Sequence, residues 1–147
     1  MTSLSVLVRR TAVVAGIAFG LAACGDDGPT QTPEALFNAF EKSVLCDVGP
    51  TDEVVGLYMP QTAASARYVE TLRRGWSRES AAVRTSECHG WDDATRISET
   101  RAVEVSPGKW RLDTATAPLS AGNFKPIRGV HIARMDGGDL KVVAGNP

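Results

Sequence analysis

The chain has 147 residues, 43% of them hydrophobic, with 16 Lys/Arg against 17 Asp/Glu and a formal charge of −1. That is one domain's worth of sequence, large enough for a single core and near the size where a covalent staple helps. No basic excess is present to support nucleic-acid binding, and no internal repeat or low-complexity block appears.

At the N-terminus, Met1 to Arg10 supplies a positive segment ending in Arg9-Arg10, and Thr11 to Gly20 is apolar. The apolar run is too short to cross a hydrocarbon core that needs about 20 residues, so it reads as a signal and not as a permanent span. It runs into Leu21-Ala22-Ala23-Cys24, which resembles the lipobox of bacterial lipoproteins: Leu, two small residues, then Cys. The resemblance implies that residues 1–23 are a lipoprotein signal peptide and that the Cys24 thiol receives a diacylglyceryl group. Cleavage would leave Cys24 as the first residue, with the protein lipid-anchored on the extracytoplasmic face of the cell membrane. The alternatives are a secretory signal with a chance cysteine, or a twin-arginine signal that Thr11-Ala12-Val13-Val14 fits only loosely.

Two acyl chains, at about 0.8 kcal/mol per buried methylene, hold a protein stably where one does not. Residues 24–31 then read as a lipidated tether, solvated and without a basic cluster, holding the domain off the bilayer by roughly 15 Å. Loss of Arg9 and Arg10 takes the 16 basic residues to 14 against an unchanged 17 acidic ones, and the charge from −1 to −3. Residues 32–147 remain as a single domain.

With Cys24 used by the lipid, Cys46 and Cys88 are an even pair in an oxidising compartment, which favours a disulfide. The alternative is a metal or redox site built from Cys88-His89 and Asp92-Asp93, but adjacent ligands converge poorly on one ion and no Cys-x-x-Cys or His-x-x-x-His spacing is present. No metal and no cofactor is assigned.

Thr32-Pro33-Glu34 opens a helix with a capping hydroxyl, proline at the first position and an acid in the first turn. Leu36, Phe37, Phe40, Val44 and Leu45 recur on one face while Glu41 and Lys42 point elsewhere, and the helix ends near Cys46, before Gly49-Pro50. Thr51-Asp52-Glu53 starts a short helix through Val54, Val55 and Tyr58, ended by Pro60. A third runs from about Thr62 to Trp76, with Ser65, Tyr68, Val69, Leu72 and Trp76 inward. Ala82 to Cys88 is read as a poorly patterned strand. Val103 and Val105 lead through a type II turn at Ser106-Pro107-Gly108-Lys109 into a strand with Trp110, Leu112, Thr114 and Thr116 on one face and Arg111 and Asp113 on the other. Ala117 to Pro126 reads as a connection. Ile127 to Met135 and Leu140 to Val143 form a second hairpin through Asp136-Gly137-Gly138-Asp139.

The sum is an α+β domain, two to three N-terminal helices on a curved four- to five-stranded antiparallel sheet. The opening Thr32-Pro33-Glu34-Ala35-Leu36-Phe37-Asn38-Ala39-Phe40 and the strand Gly108-Lys109-Trp110-Arg111-Leu112 resemble small bacterial lipoprotein domains of the NTF2-like (cone-shaped α+β) superfamily, although there the Gly-Lys-Trp strand usually comes last. The resemblance implies a pocket between helices and sheet in a superfamily of isomerases, dehydratases, binders and interaction modules, so it leaves function open.

Of the available acid–base types, Tyr58, Tyr68, Asp113 and His131, strand parity turns Asp113 from the Trp110/Leu112 face and groups His131 with Gly129, Ala133 and Met135. Both read as surface or structural residues whose alanine variants would keep the thermal midpoint; no catalytic residue is assigned. Trp76, Trp91 and Trp110 either line a ligand site or fill the core. Arg67, Glu70, Arg74 and Arg78 form a helical stripe that is either a solvated face or, with Arg73 and Arg84, a surface for anionic headgroups or an acidic partner. The expected function is a lipid-anchored binding or interaction module of the cell envelope, its partner an unknown envelope protein or small ligand. The alternatives are an NTF2-like enzyme and a purely structural lipoprotein.

Overall fold

Each helix starts where a short polar side chain takes over an orphan backbone N–H. In the computed structural model, which describes residues 31–116 and 123–147, Thr32, Thr51, Thr62, Ser80 and Asp92 each accept a hydrogen bond from the backbone N–H three residues on. They cap α1 (Pro33–Lys42), α2 (Asp52–Tyr58), α3 (Ala63–Arg78), α4 (Ala81–His89) and α5 (Asp93–Ser98). Between α1 and α2 the helix widens into a π turn, Ser43–Asp47, and stops where Gly49 adopts φ +82°. Glycine is required there, since a Cβ would lie 3.0 Å from the Trp76 ring.

Four strands follow as an antiparallel meander in sequence order: β1 (Thr100–Ser106), β2 (Lys109–Ala115), β3 (Phe124–Arg134) and β4 (Leu140–Ala144). Gly108, at φ +73°, makes the first turn. The inward row pairs Trp110 with Ile132 and Ile132 with Val142, and the opposite row aligns Val103, Arg111, His131 and Val143. Between Arg111 and Asp113 the β2–β3 register slips, and the longer β3 segment includes Gly129 at φ +85°. The fold is therefore α+β, with one core cluster joining Leu36, Phe37, Phe40 and Val44 to Val54, Met59 and Val69 and to Leu112, Val130, Ile132 and Val142.

Several expectations are corrected. Ala82 to Cys88 lies within helix α4, not a strand. Its period is obscure because none of its described side chains is buried; an exposed helix needs no apolar stripe. Among the described residues five α-helices replace two or three, and the sheet has four strands. Phe124 to Pro126 belong to β3 and not to the connection, of which residues 117–122 lie outside the described residues.

Asp113 and His131 do lie opposite the Leu112 and Ile132 side chains, yet they are only 2% and 6% exposed. On that face Asp113 and His131 are buried while Val103, Arg111 and Val143 beside them are half-buried. Arg111 donates to the Asp113 carboxylate from Nε at 2.7 Å and Nη2 at 3.1 Å, and Arg101 from Nη2 at 3.2 Å. These bonds hold the carboxyl below its ordinary range. His131 Nδ1 donates to the Gly145 carbonyl at 3.1 Å. An alanine at position 113 would remove the buried carboxylate that Arg101 of β1 and Arg111 of β2 both bond, so an unchanged thermal midpoint is not the expected outcome.

Cys46 and Cys88 are joined in a disulfide that ties the π turn to α4, with Cα atoms 5.3 Å apart and a sequence separation of 42. Arg84 adds a second tie, donating to the Trp76 carbonyl at 2.9 Å with its guanidinium 4.2 Å over the Trp76 ring. Among the described residues no helix is long and apolar enough to cross a membrane.

Replacing both cysteines by alanine should cost up to about 4 kcal/mol in the chain-entropy limit and raise amide exchange first in α4. Non-reducing peptide mapping and exchange mass spectrometry check this. Two separately alkylatable thiols in protein purified without reductant would contradict it.

Candidate functional site

Helix α1 presents Phe37 and, one turn later, Glu41 to the same side. The start of β1, the end of β2 and the helix α5 close around them. The result is a cleft of about 260 Å³ lined by Phe37, Glu41, Arg96, Glu99, Thr100, Thr114 and Ile127. Phe37 and Ile127 are its apolar part, and the two threonines are a cross-strand pair at the edge of the sheet.

Its chemistry centres on Glu41. Among the described residues the Glu41 carboxylate accepts no hydrogen bond and makes no ion pair, and burial pushes its pKa up against the smaller opposing pull of Arg96. Tyr68, on α3, is pushed up by its own burial and by the nearby Glu41 charge. The Arg96 guanidinium lies 4.5 Å over the Trp91 ring. It makes no ion pair among the described residues. A desolvated acid with free acceptor lone pairs, facing an opening, is poised to bind a donor or to exchange a proton.

The wall supporting this cleft is firmly built. Asp93 accepts from Asn38 Nδ2 and Trp91 Nε1, each at 3.1 Å, and from Lys42 Nζ at 3.1 Å, bonds that lower its pKa and fasten α5 to α1. Asp92 caps α5. Both acids proposed as metal ligands beside Cys88-His89 are thus engaged elsewhere, and Cys88 is in the disulfide. Among the described residues no group of three or more His, Cys, Asp and Glu is placed to hold a metal ion.

The tryptophans do not share this cleft. Trp76 lines a groove of about 380 Å³ beside Cys46, Cys88 and Arg84. Trp91 braces Arg96 and Asp93. Trp110 packs against the core with Arg134 5.8 Å over its ring.

The arginine stripe divides in the same way. Arg67, Arg74 and Arg78 are exposed, with Arg74 bent back onto the Glu70 carbonyl and the Thr71 hydroxyl. Arg73 pairs with Asp52 at the rim of a groove between α2 and α3, and Arg84 stacks on Trp76. Tyr58 shares a hydrogen bond with Ser43 at 3.3 Å and meets Phe40 edge-on. Cys24 lies outside the described residues.

Helical periodicity alone misplaces Glu41. Beside Phe40 and four residues after Phe37 it falls at the margin of the apolar stripe, and only the covering elements decide whether that margin is wet. One signal was available: Asp92, with Thr95 three residues on, is a helix start that places α5.

Comparison with protein-family models, curated proteins and solved structures finds no match.

The raised pKa of Glu41 has a stability consequence with a definite sign. Below the unfolded value of about 4.3 both states hold the proton. As pH rises through the higher folded value, the folded protein must ionise a desolvated carboxyl, and stability falls. Glu41→Gln should therefore raise the thermal midpoint at pH 7, with the difference from the parent closing below about pH 4. Calorimetric scans across pH check this; a variant no more stable than the parent at pH 7 would contradict it.

Proposed function

We propose that this chain is a lipid-anchored binding module on the extracytoplasmic face of the bacterial cell membrane, holding a small ligand in the Glu41 cleft. The observation that carries the ligand site is the half-buried Glu41 carboxylate, without a hydrogen bond or ion pair among the described residues, in an opening of about 260 Å³. The Leu21-Ala22-Ala23-Cys24 pattern supports the anchor, and the Cys46–Cys88 disulfide accords with an oxidising compartment. Helices first, then one antiparallel sheet with a cleft between the layers, supports the NTF2-like cone as the finer description.

A second reading has a specific observation in its favour. A carboxyl with a raised pKa is the form a general acid or base takes, so an isomerase or dehydratase working through Glu41 is the competing function. Binding is preferred because no second acid–base group bonds to Glu41 among the described residues, Tyr68 included, and a proton-transfer site needs a partner placed at the reacting atom.

Cys24→Ser should lose labelled palmitate and leave the membrane fraction, while the parent keeps both. Backbone amide shift mapping with a set of polar fragments should then cluster perturbations at Glu41, Arg96, Thr100 and Thr114. Retained label would overturn the anchor, and perturbations clustering elsewhere would overturn the cleft. Turnover of a bound fragment, lost in Glu41→Gln, would favour the enzyme.

A further inference from the structure

Glu41 and Arg96 carry opposite charges, line one cleft, and do not pair. Arg96 belongs to none of the four ion pairs among the described residues, and neither does Glu41. The reason lies in what holds each group. Glu41 is fixed on α1 between the cleft and Tyr68, and the Arg96 guanidinium is held over the Trp91 face at 4.5 Å. Trp91 is itself locked by its indole N–H to Asp93 at 3.1 Å. The cleft therefore offers acceptor oxygens on one group and an unspent fork of N–H donors on the other, held apart.

A ligand with one charge would satisfy only one of them. We propose that the cleft binds an amino-acid-sized zwitterion, its ammonium group on Glu41 and Glu99, its carboxylate on Arg96, and its apolar side chain against Phe37 and Ile127. This rests on the reading of the cleft as a ligand site. The donors and acceptors match, since one ammonium can donate to two carboxylates while a guanidinium takes a carboxylate through paired N–H bonds. The size fits too: 260 Å³ lies below the roughly 300–1,000 Å³ of sites for drug-sized molecules. Of the two hydroxyls, Thr100 donates to the Arg96 carbonyl at 3.1 Å, and Thr114 has no partner among the described residues and can bond either end of the ligand.

Calorimetric titration of the full-length protein in detergent tests this with L-valine, L-leucine and L-methionine as zwitterions. Isoamylamine is leucine without its carboxylate, and 4-methylpentanoate is leucine without its ammonium. At least one amino acid should bind, with the two truncated probes at least tenfold weaker than leucine. Glu41→Gln and Arg96→Gln should each weaken amino-acid binding at least tenfold. Arg96→Lys keeps the charge and should lose less, which separates a lost contact from a lost fold. Isoamylamine binding as tightly as leucine would overturn the zwitterion and leave a cation site at Glu41. No amino-acid binding, with fragments still perturbing the cleft amides, would overturn this inference alone. Amino-acid binding unaffected by either glutamine variant would overturn both the inference and the site.

Discussion

Everything in this domain depends on how completely α1 is wrapped. Leu36, Phe37, Phe40 and Val44 form an apolar stripe buried in one cluster with Val54, Met59 and Val69 and with the sheet residues Leu112, Val130, Ile132 and Val142, and α1 meets α2, α5, β1 and β4. A helix covered on so many sides cannot keep its polar flank in water. Asn38 is left 5% exposed, with its Nδ2 answered by Asp93 and its buried Oδ1 without a partner among the described residues, Lys42 reaches the same carboxylate, and Glu34 accepts the Ala102 backbone N–H at 2.9 Å. Glu41, next on that flank, finds no donor among the described residues. Its desolvation is thus a by-product of core packing, and the cleft beside it is where that polar demand remains open.

Elsewhere the fold substitutes specific ties for apolar area. Helix α4 has no buried described residue, so its position rests on the Cys46–Cys88 bond and on Arg84 bracketed between the Trp76 ring and carbonyl. The sheet tolerates a buried carboxylate at Asp113 because three guanidinium N–H groups converge on it. Each arrangement replaces hydrophobic burial by a paired polar group, which works only while every partner stays in place.

What the sequence made legible follows the same division. The three helices with strong stripes and Thr caps, both hairpins and the inward row through Trp110 and Leu112 could be read because apolar period and turn chemistry agree there. Helices α4 and α5 could not be read from period, since they bury little; only their caps, Ser80 and Asp92, announce them. Parity gave Asp113 and His131 the correct face, but parity says nothing of whether that face is wet. Glu41 was hidden for the related reason that its environment comes from α3 and α5, distant in sequence.

The proposed ligand site is a small polar cleft in which Glu41 and Arg96 make no ion pair among the described residues. The central claim is that the Glu41 carboxyl is desolvated and unpartnered within that cleft. The most direct measurement is a carbon-detected NMR titration of the glutamate side-chain carboxyls in the folded protein, with Glu41 assigned by its loss in Glu41→Gln. The account predicts a Glu41 midpoint above the ordinary glutamate value of about 4.3, moving higher still when Arg96 is replaced by glutamine. A midpoint at or below the ordinary value would mean a solvated or ion-paired side chain, and would contradict it.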